Sequence, residues 1–225
     1  MSNTVFFGQG ENPDENFKEK TLCVFLLDTS GSMYGPKIDH LNDGLKTFYQ
    51  DILAENALAE GLEVSIVTFD SYVKNLQPPA LAADFTMPTL NASGGTDMVG
   101  GIKKAIEIVK ERKDYYKGQN ITYKRPWIVM ITDGQANVDS IKDQVKKDGD
   151  AKHYFFLPIA ADNGPDIDMK LLNSLATDRA YQLKGLKFSD FFQWLSRSFD
   201  GIVQAKPGDK VDVTPSPELL SAYEC

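Results

Sequence analysis

Apolar positions along this chain fall into two alternating patterns. Short, nearly continuous apolar runs over residues 21–27, 127–132 and 153–160 read as strands buried on both faces of a sheet, because a half-buried strand would alternate. Leu62 to Phe69 and the short stretch Ala180 to Leu183 read as further strands. Between them apolar residues recur at helical spacing. Ile38, Leu41, Leu45, Phe48, Tyr49 and Ile52 predict a helix from Pro36, suited to a first turn, to about Ala57. Ile102, Ala105, Ile106 and Val109 predict another from Thr96 or Asp97 to about Lys113, followed by a charged, tyrosine-bearing connection. Shorter helices are expected over Asp139 to Lys147, ended by Gly149, and over Met169 to Ala176. The last runs from Ser189, as N-cap, to about Val203. Asp70-Ser71 makes a tight turn into a short strand, Tyr72 to Leu76, that Pro78-Pro79 ends; this hairpin strand belongs at an antiparallel sheet edge.

Strands that alternate with helices predict an α/β fold. It is a doubly wound, mostly parallel six-stranded sheet with one antiparallel edge strand and helices on both faces. In such a sheet a ligand sits beyond the carboxyl ends of the strands, where the winding direction reverses. If strand 21–27 lies beside strand 127–132 at that point, Asp28 and Asp133 become neighbours across the crevice. Residues 1–18, polar and acid-rich, read as an N-terminal arm. The tail after Lys206 carries three prolines and is expected to lack regular structure or to dock in extended form.

Composition narrows the function classes. The chain has 225 residues, enough for one domain with a full core, and 42% apolar content. No run approaches the ~18 apolar residues of a membrane span. No basic-then-apolar leader opens the chain, so a cytoplasmic protein with no membrane partner is expected. Two cysteines do not make a disulfide framework: Cys23 falls inside a strand and Cys225 at the terminus. The net charge of −8 argues against nucleic acid as a partner and is compatible with cation binding.

The chemistry concentrates at strand ends. Asp28-Thr29-Ser30-Gly31-Ser32 follows the first strand, Ser93-Gly94-Gly95-Thr96-Asp97 opens a helix, and Thr132-Asp133-Gly134 ends the strand over 127–132. Carboxylates and hydroxyls are hard oxygen ligands that suit Mg²⁺, Mn²⁺ or Ca²⁺ rather than zinc. Each residue also has an ordinary reading. Asp28 suits an N-cap or turn, Ser30 and Ser32 suit a loop, Thr96 suits a helix cap, and Asp133-Gly134 is a common turn dipeptide. Asp97 suits a helix start, Asp70 the hairpin turn and Asp43 a solvent-facing helix position; Met33 and Tyr34 flank the site and offer either partner contacts or surface packing. His40 and His153 have no partners at zinc spacing.

In order, these segments resemble the metal-ion-dependent adhesion site (MIDAS) of von Willebrand factor A (VWA) domains, D-x-S-x-S, then a distant Thr, then a distant Asp. Asp28, Ser30, Ser32, Thr96 and Asp133 match it, and the resemblance covers about residues 20–204. It implies that these five residues hold a divalent cation, Mg²⁺ or else Mn²⁺ or Ca²⁺. The ion would keep one position open for an Asp or Glu of a protein partner. A domain over 19–204 with an arm at 1–18 and a tail at 205–225 follows. A narrower resemblance, to bacterial TerY-type proteins, lies in Gly31-Ser32-Met33, Leu41-Asn42-Asp43-Gly44-Leu45 and Phe191-Phe192-Gln193-Trp194-Leu195-Ser196 with the Pro-Gly tail. It implies a tellurite-resistance or stress-response setting, with a protein kinase or PP2C-like phosphatase of the same gene cluster as partner.

The competing enzyme classes fit less well. A haloacid-dehalogenase-like phosphotransferase also places an Asp after its first strand, but requires Asp-x-Asp, and Ser30 is too weak an acid to replace the second carboxylate. No phosphate-binding G-x-x-x-x-G-K-[ST] segment is present, and Gly31-Ser32-Met33-Tyr34-Gly35 does not match a serine-hydrolase elbow. The sequence thus points to a non-enzymatic, metal-dependent interaction module.

Overall fold

A seven-stranded sheet organises the chain, in the order β3 (Val73–Leu81), β2 (Leu62–Phe69), β1 (Thr21–Asp28), β4 (Trp127–Thr132), β5 (Phe155–Ala160), β6 (Tyr181–Leu183) and β7 (Leu220–Ala222). In the computed structural model the described residues are 19–134, 136–162, 164, 167–206, 209–211, 213–216 and 218–222. The central strand β1 (Thr21–Asp28) is buried along its whole length. It pairs in parallel with β2 (Leu62–Phe69) on one side and β4 (Trp127–Thr132) on the other. Then follow β5 (Phe155–Ala160) and β6 (Tyr181–Leu183), both parallel.

The period of two in β1 splits the core into two layers. Cys23, Phe25 and Leu27 face α1 (Pro36–Ala54) and α6 (Phe188–Gln204), whose Phe48 and Phe192 pack on Phe25 with ring centroids 5.0 and 5.5 Å away. Leu22, Val24 and Leu26 face the opposite layer: α3 (Met98–Gly118), α4 (Lys142–Asp150) and α5 (Met169–Leu175). Gly44 lets α1 and α6 close on each other, since a Cβ there would stand 2.5 Å from the Phe192 ring.

The α/β class, the parallel core and the helices on both faces match the sequence pattern; several elements differ in detail. The first helix stops at Ala54, and a short α2 (Asn56–Gly61) follows an extended Glu55. The edge strand β3 (Val73–Leu81) runs antiparallel to β2 straight through Pro78-Pro79, with register shifts around Ile66. An edge strand tolerates proline because one side of its ladder needs no N–H donor. Helix α3 absorbs residues 113–117, because Tyr116 is buried and donates its hydroxyl to Glu63 at 2.5 Å, while Arg112 grips the same carboxylate with two 2.6 Å bonds. Gly149 lies inside α4 rather than after it. Helix α6 starts at Phe188 with Lys187 as N-cap, so Ser189 is not the cap. The tail supplies a seventh strand, β7 (Leu220–Ala222), antiparallel to β6, so both sheet edges are antiparallel. Cys23 is a buried free thiol. The expected arm over 1–18 and Cys225 lie outside the described residues, within which no helix is long and apolar enough to cross a membrane.

Candidate metal centre

The winding reverses between β1 and β4, and their carboxyl ends, in register at Leu27 and Ile131, bring Asp28 and Asp133 to one crevice. Asp28 is fully buried. Its Oδ1 accepts from the Ser30 N–H at 2.8 Å, which bends the chain into the loop after β1. Its Oδ2 accepts from the Thr132 hydroxyl at 2.5 Å, and Thr132 Oγ1 in turn accepts from the Gly134 N–H at 3.1 Å. The Ser30 and Ser32 hydroxyls lie 3.1 Å apart, and Ser32 donates to Asp133 Oδ1 at 2.7 Å. Ser30, Ser32 and Asp133 therefore form a chain of side-chain oxygens, and Asp28 joins it through the Ser30 backbone N–H, so four of the five sequence-predicted ligands are brought together.

The second loop is stitched to the first through backbone. Gly31 N–H donates to Gly94 O at 3.0 Å and Ser93 N–H to Thr29 O at 2.8 Å, while Gly95 N–H donates to Ser71 Oγ and Asp97 N–H to Asp70 O, both at 2.7 Å. Gly94 is held at φ +76, where a Cβ would stand 2.7 Å from Ser71 Oγ, so a glycine is needed there. Upstream, buried Asn42 clamps the same loop, accepting from Leu90 N–H at 2.7 Å and donating to Leu90 O at 2.9 Å. Thr96 reaches the crevice rim: a Cβ built on Gly134 would lie 3.6 Å from Asp28 Oδ2 and 3.9 Å from the Thr96 methyl. Asp97 caps α3 by accepting from Gly100 N–H at 2.9 Å, and Asp70 holds the hairpin turn by accepting from Tyr72 N–H at 2.8 Å.

Electrostatics separate the two carboxylates. Burial raises the Asp28 carboxyl above its ordinary value; the Ser30 and Thr132 hydrogen bonds oppose this, and the Asp133 charge adds to it. Among the described residues no cationic side chain pairs with Asp28. Asp133 does have a cation. Lys37 Nζ sits 2.5 Å from Asp133 Oδ2 and 2.8 Å from Asp162 Oδ2. Burial works against the Lys37 charge, yet its bonds to both carboxylates leave it raised; burial also works to raise Asp162, but Lys37 and the Gly164 N–H, which donates at 2.7 Å, hold it below its ordinary value.

Sequence reasoning missed Lys37, Asp162 and the role of Thr132. Asp162 lies just beyond β5, at the carboxyl end of the parallel strand after β4, which was the available signal. Met33 is core, whereas Tyr34 is 78% exposed beside the loop.

The family model described as von Willebrand factor type A domain matches residues 23–135, half of the chain. The chain belongs to that family. An uncharacterised protein of Methanocaldococcus jannaschii is 30% identical over 129 residues, 55% of this chain and 26% of that protein. Human calcium-activated chloride channel regulator 4 is 30% identical over 154 residues, 64% of this chain and 15% of that protein. The chain thus spans about a quarter or less of these curated relatives. The structure of proximal thread matrix protein 1 from the mussel byssus with a zinc-occupied MIDAS motif superposes with a TM-score of 0.54 at 17% identity, over 83% of this chain and 45% of that one. This likeness establishes the fold alone.

No group of three or more His, Cys, Asp or Glu side chains suited to a metal occurs among the described residues, so any ion here would draw on hydroxyls as well as on Asp28 and Asp133. Two carboxylates and neighbouring hydroxyls are a hard-oxygen set, and a buried carboxylate with no cationic partner is costly without one. The residues present fit the ion.

Proposed function

We propose that this VWA domain is a metal-dependent protein-interaction module, in which Asp28, Ser30, Ser32, Thr96 and Asp133 hold a divalent cation, preferably Mg²⁺, with Mn²⁺ or Ca²⁺ as substitutes. The observation that supports this most is the hydrogen-bonded run at the reversal of the sheet: Asp28 holds the Ser30 N–H and the Thr132 hydroxyl, and the Ser30 hydroxyl leads through Ser32 to Asp133. The bound ion supplies a Lewis-acidic position for a carboxylate of another molecule. The protein's part is to fix the oxygens: Asp28 is oriented by Ser30 and Thr132, Ser32 is aligned by Asp133, and the Gly94 carbonyl keeps the Thr96 loop against the Ser30 loop.

An Asp or Glu on a protein partner matches that open position, since a carboxylate gains most where water is excluded. The zinc-occupied motif of the mussel protein supports a divalent cation here, while the all-oxygen donor set favours the harder ions. By its resemblance to TerY-type proteins the module serves a cytoplasmic tellurite-resistance or stress-response system, with a kinase or PP2C-like phosphatase as partner. The phosphotransfer alternative gains no support: Ser30, at the position of the second acid, is engaged with Ser32 and offers no carboxyl group.

Affinity capture from the native host tests this, with the full chain as bait. Partners retained in Mg²⁺ and released by EDTA, and absent from an Asp28→Asn bait, support the reading. Capture indifferent to both refutes it.

A further inference from the structure

The crevice carries a cation of its own. Lys37 lies in the first turn of α1, just after Pro36, where the helix dipole disfavours a positive charge. Two carboxylates from the ends of different strands offset that, Asp133 at 2.5 Å and Asp162 at 2.8 Å. The Asp133 side chain is 1% exposed, and Asp162 is anchored separately by the Gly164 N–H. Lys37, Ser32, Asp133, Gly134 and Asp162 line one cavity of about 300 Å³.

Asp133 therefore has one oxygen on Ser32 and the other on an ammonium. A divalent ion drawn to Ser32 and Asp133 meets a fixed positive charge on the same carboxylate. We propose that Lys37 is a tethered competitor for the metal ion, and that Asp162 is the holding site that takes the ammonium when the ion claims Asp133. This rests on the metal-ion reading above and adds a control on it. Lys37 weakens loading of the isolated domain, and Asp162 moderates that effect by sharing the ammonium.

Two substitutions on the full chain are expected to shift affinity in opposite directions, with Mn²⁺ as the probe in calorimetric titration and confirmation by electron paramagnetic resonance. Lys37→Met removes the competitor and tightens Mn²⁺ binding about fivefold, the upper end for a charge pair that keeps some exposure. Asp162→Asn leaves the ammonium with Asp133 as its single carboxylate and weakens Mn²⁺ binding several-fold. It also gives an independent result if Lys37→Met folds poorly. A wild type that binds weakly or not at all beside a Lys37→Met protein that binds supports the proposal. Lys37→Met affinity equal to or below wild type overturns the competition while leaving the metal site standing, provided wild-type binding is lost in Asp28→Asn. Absence of Mn²⁺ binding in wild type and both variants overturns the metal reading and this inference with it.

Discussion

Substitution of Asp28 separates structural from ligating roles, because its two oxygens have different partners. Asp28→Ala deletes both acceptors at a fully buried position and orphans the Ser30 N–H and the Thr132 hydroxyl. Each buried group left unsatisfied costs about 1–3 kcal/mol. Removal of a desolvated negative charge offsets part of this, which leaves a net loss of about 3 kcal/mol. For a chain of this size that lowers Tm by roughly 6–12 °C. Asp28→Asn behaves differently. Its carbonyl oxygen keeps the Ser30 bond, and its amide donates to Thr132 Oγ1, which has a lone pair left beside the one used by Gly134. The Thr132 proton loses its acceptor, but the buried charge is gone, so metal-free stability stays within about 1 kcal/mol of wild type. The Asn variant lacks one of the two carboxylate charges and loses Mn²⁺ binding. The assay is urea unfolding in EDTA beside Mn²⁺ titration. An Asn variant as unstable as the Ala variant refutes the hydrogen-bond accounting; an Asn variant with wild-type Mn²⁺ affinity refutes the ligand role of Asp28.

Two further substitutions probe the supports of the site. Asn42→Ala breaks both bonds to Leu90 and should cost about 2–4 kcal/mol in urea unfolding, with weaker Mn²⁺ binding because the loop that leads to Thr96 loosens. Unchanged stability would show that the clamp contributes nothing. Arg112→Met leaves the buried Glu63 carboxylate without its bidentate partner and should destabilise by about 3–5 kcal/mol while the folded protein keeps its Mn²⁺ affinity, since this cluster lies at the opposite end of β2 from the site. A drop in Mn²⁺ affinity in protein that is still folded would contradict that separation.

Much of the site was readable because its residues sit at chain positions that the fold treats alike. Continuous apolar runs marked β1 and β4, and the first polar residues after them had to emerge at the carboxyl edge of the sheet. Other features left no local trace. Three residues of β7 cannot show a period of two, and their partner β6 lies far back in the chain. Pro78-Pro79 signalled an end to β3 because the sequence does not say which side of an edge strand faces open solvent. Lys113 to Lys117 read as a loop because the reason for their helicity, a tyrosine hydroxyl on Glu63, comes from a strand some fifty residues away. Nothing local marks Lys37, because its two partners, Asp133 and Asp162, come from the ends of distant strands.

The unequal treatment of the two carboxylates supports the proposed place of the cation on the Asp28 side of the crevice. If the loop after β1 served only as a turn, asparagine at position 28 would accept from Ser30 as well and would avoid a buried charge. The chain instead keeps an aspartate there, buries it fully, raises its proton affinity, and gives it neutral donors but, among the described residues, no ammonium. Asp133, a few atoms away, receives Lys37. A bare negative charge held by two hydrogen bonds next to a satisfied one is a poor way to stabilise a fold. It is a workable way to keep a position for an ion that comes and goes, as in the proposal above: the Asp28 side of the crevice would attract the ion, while Lys37 on the far side would limit how firmly it stays.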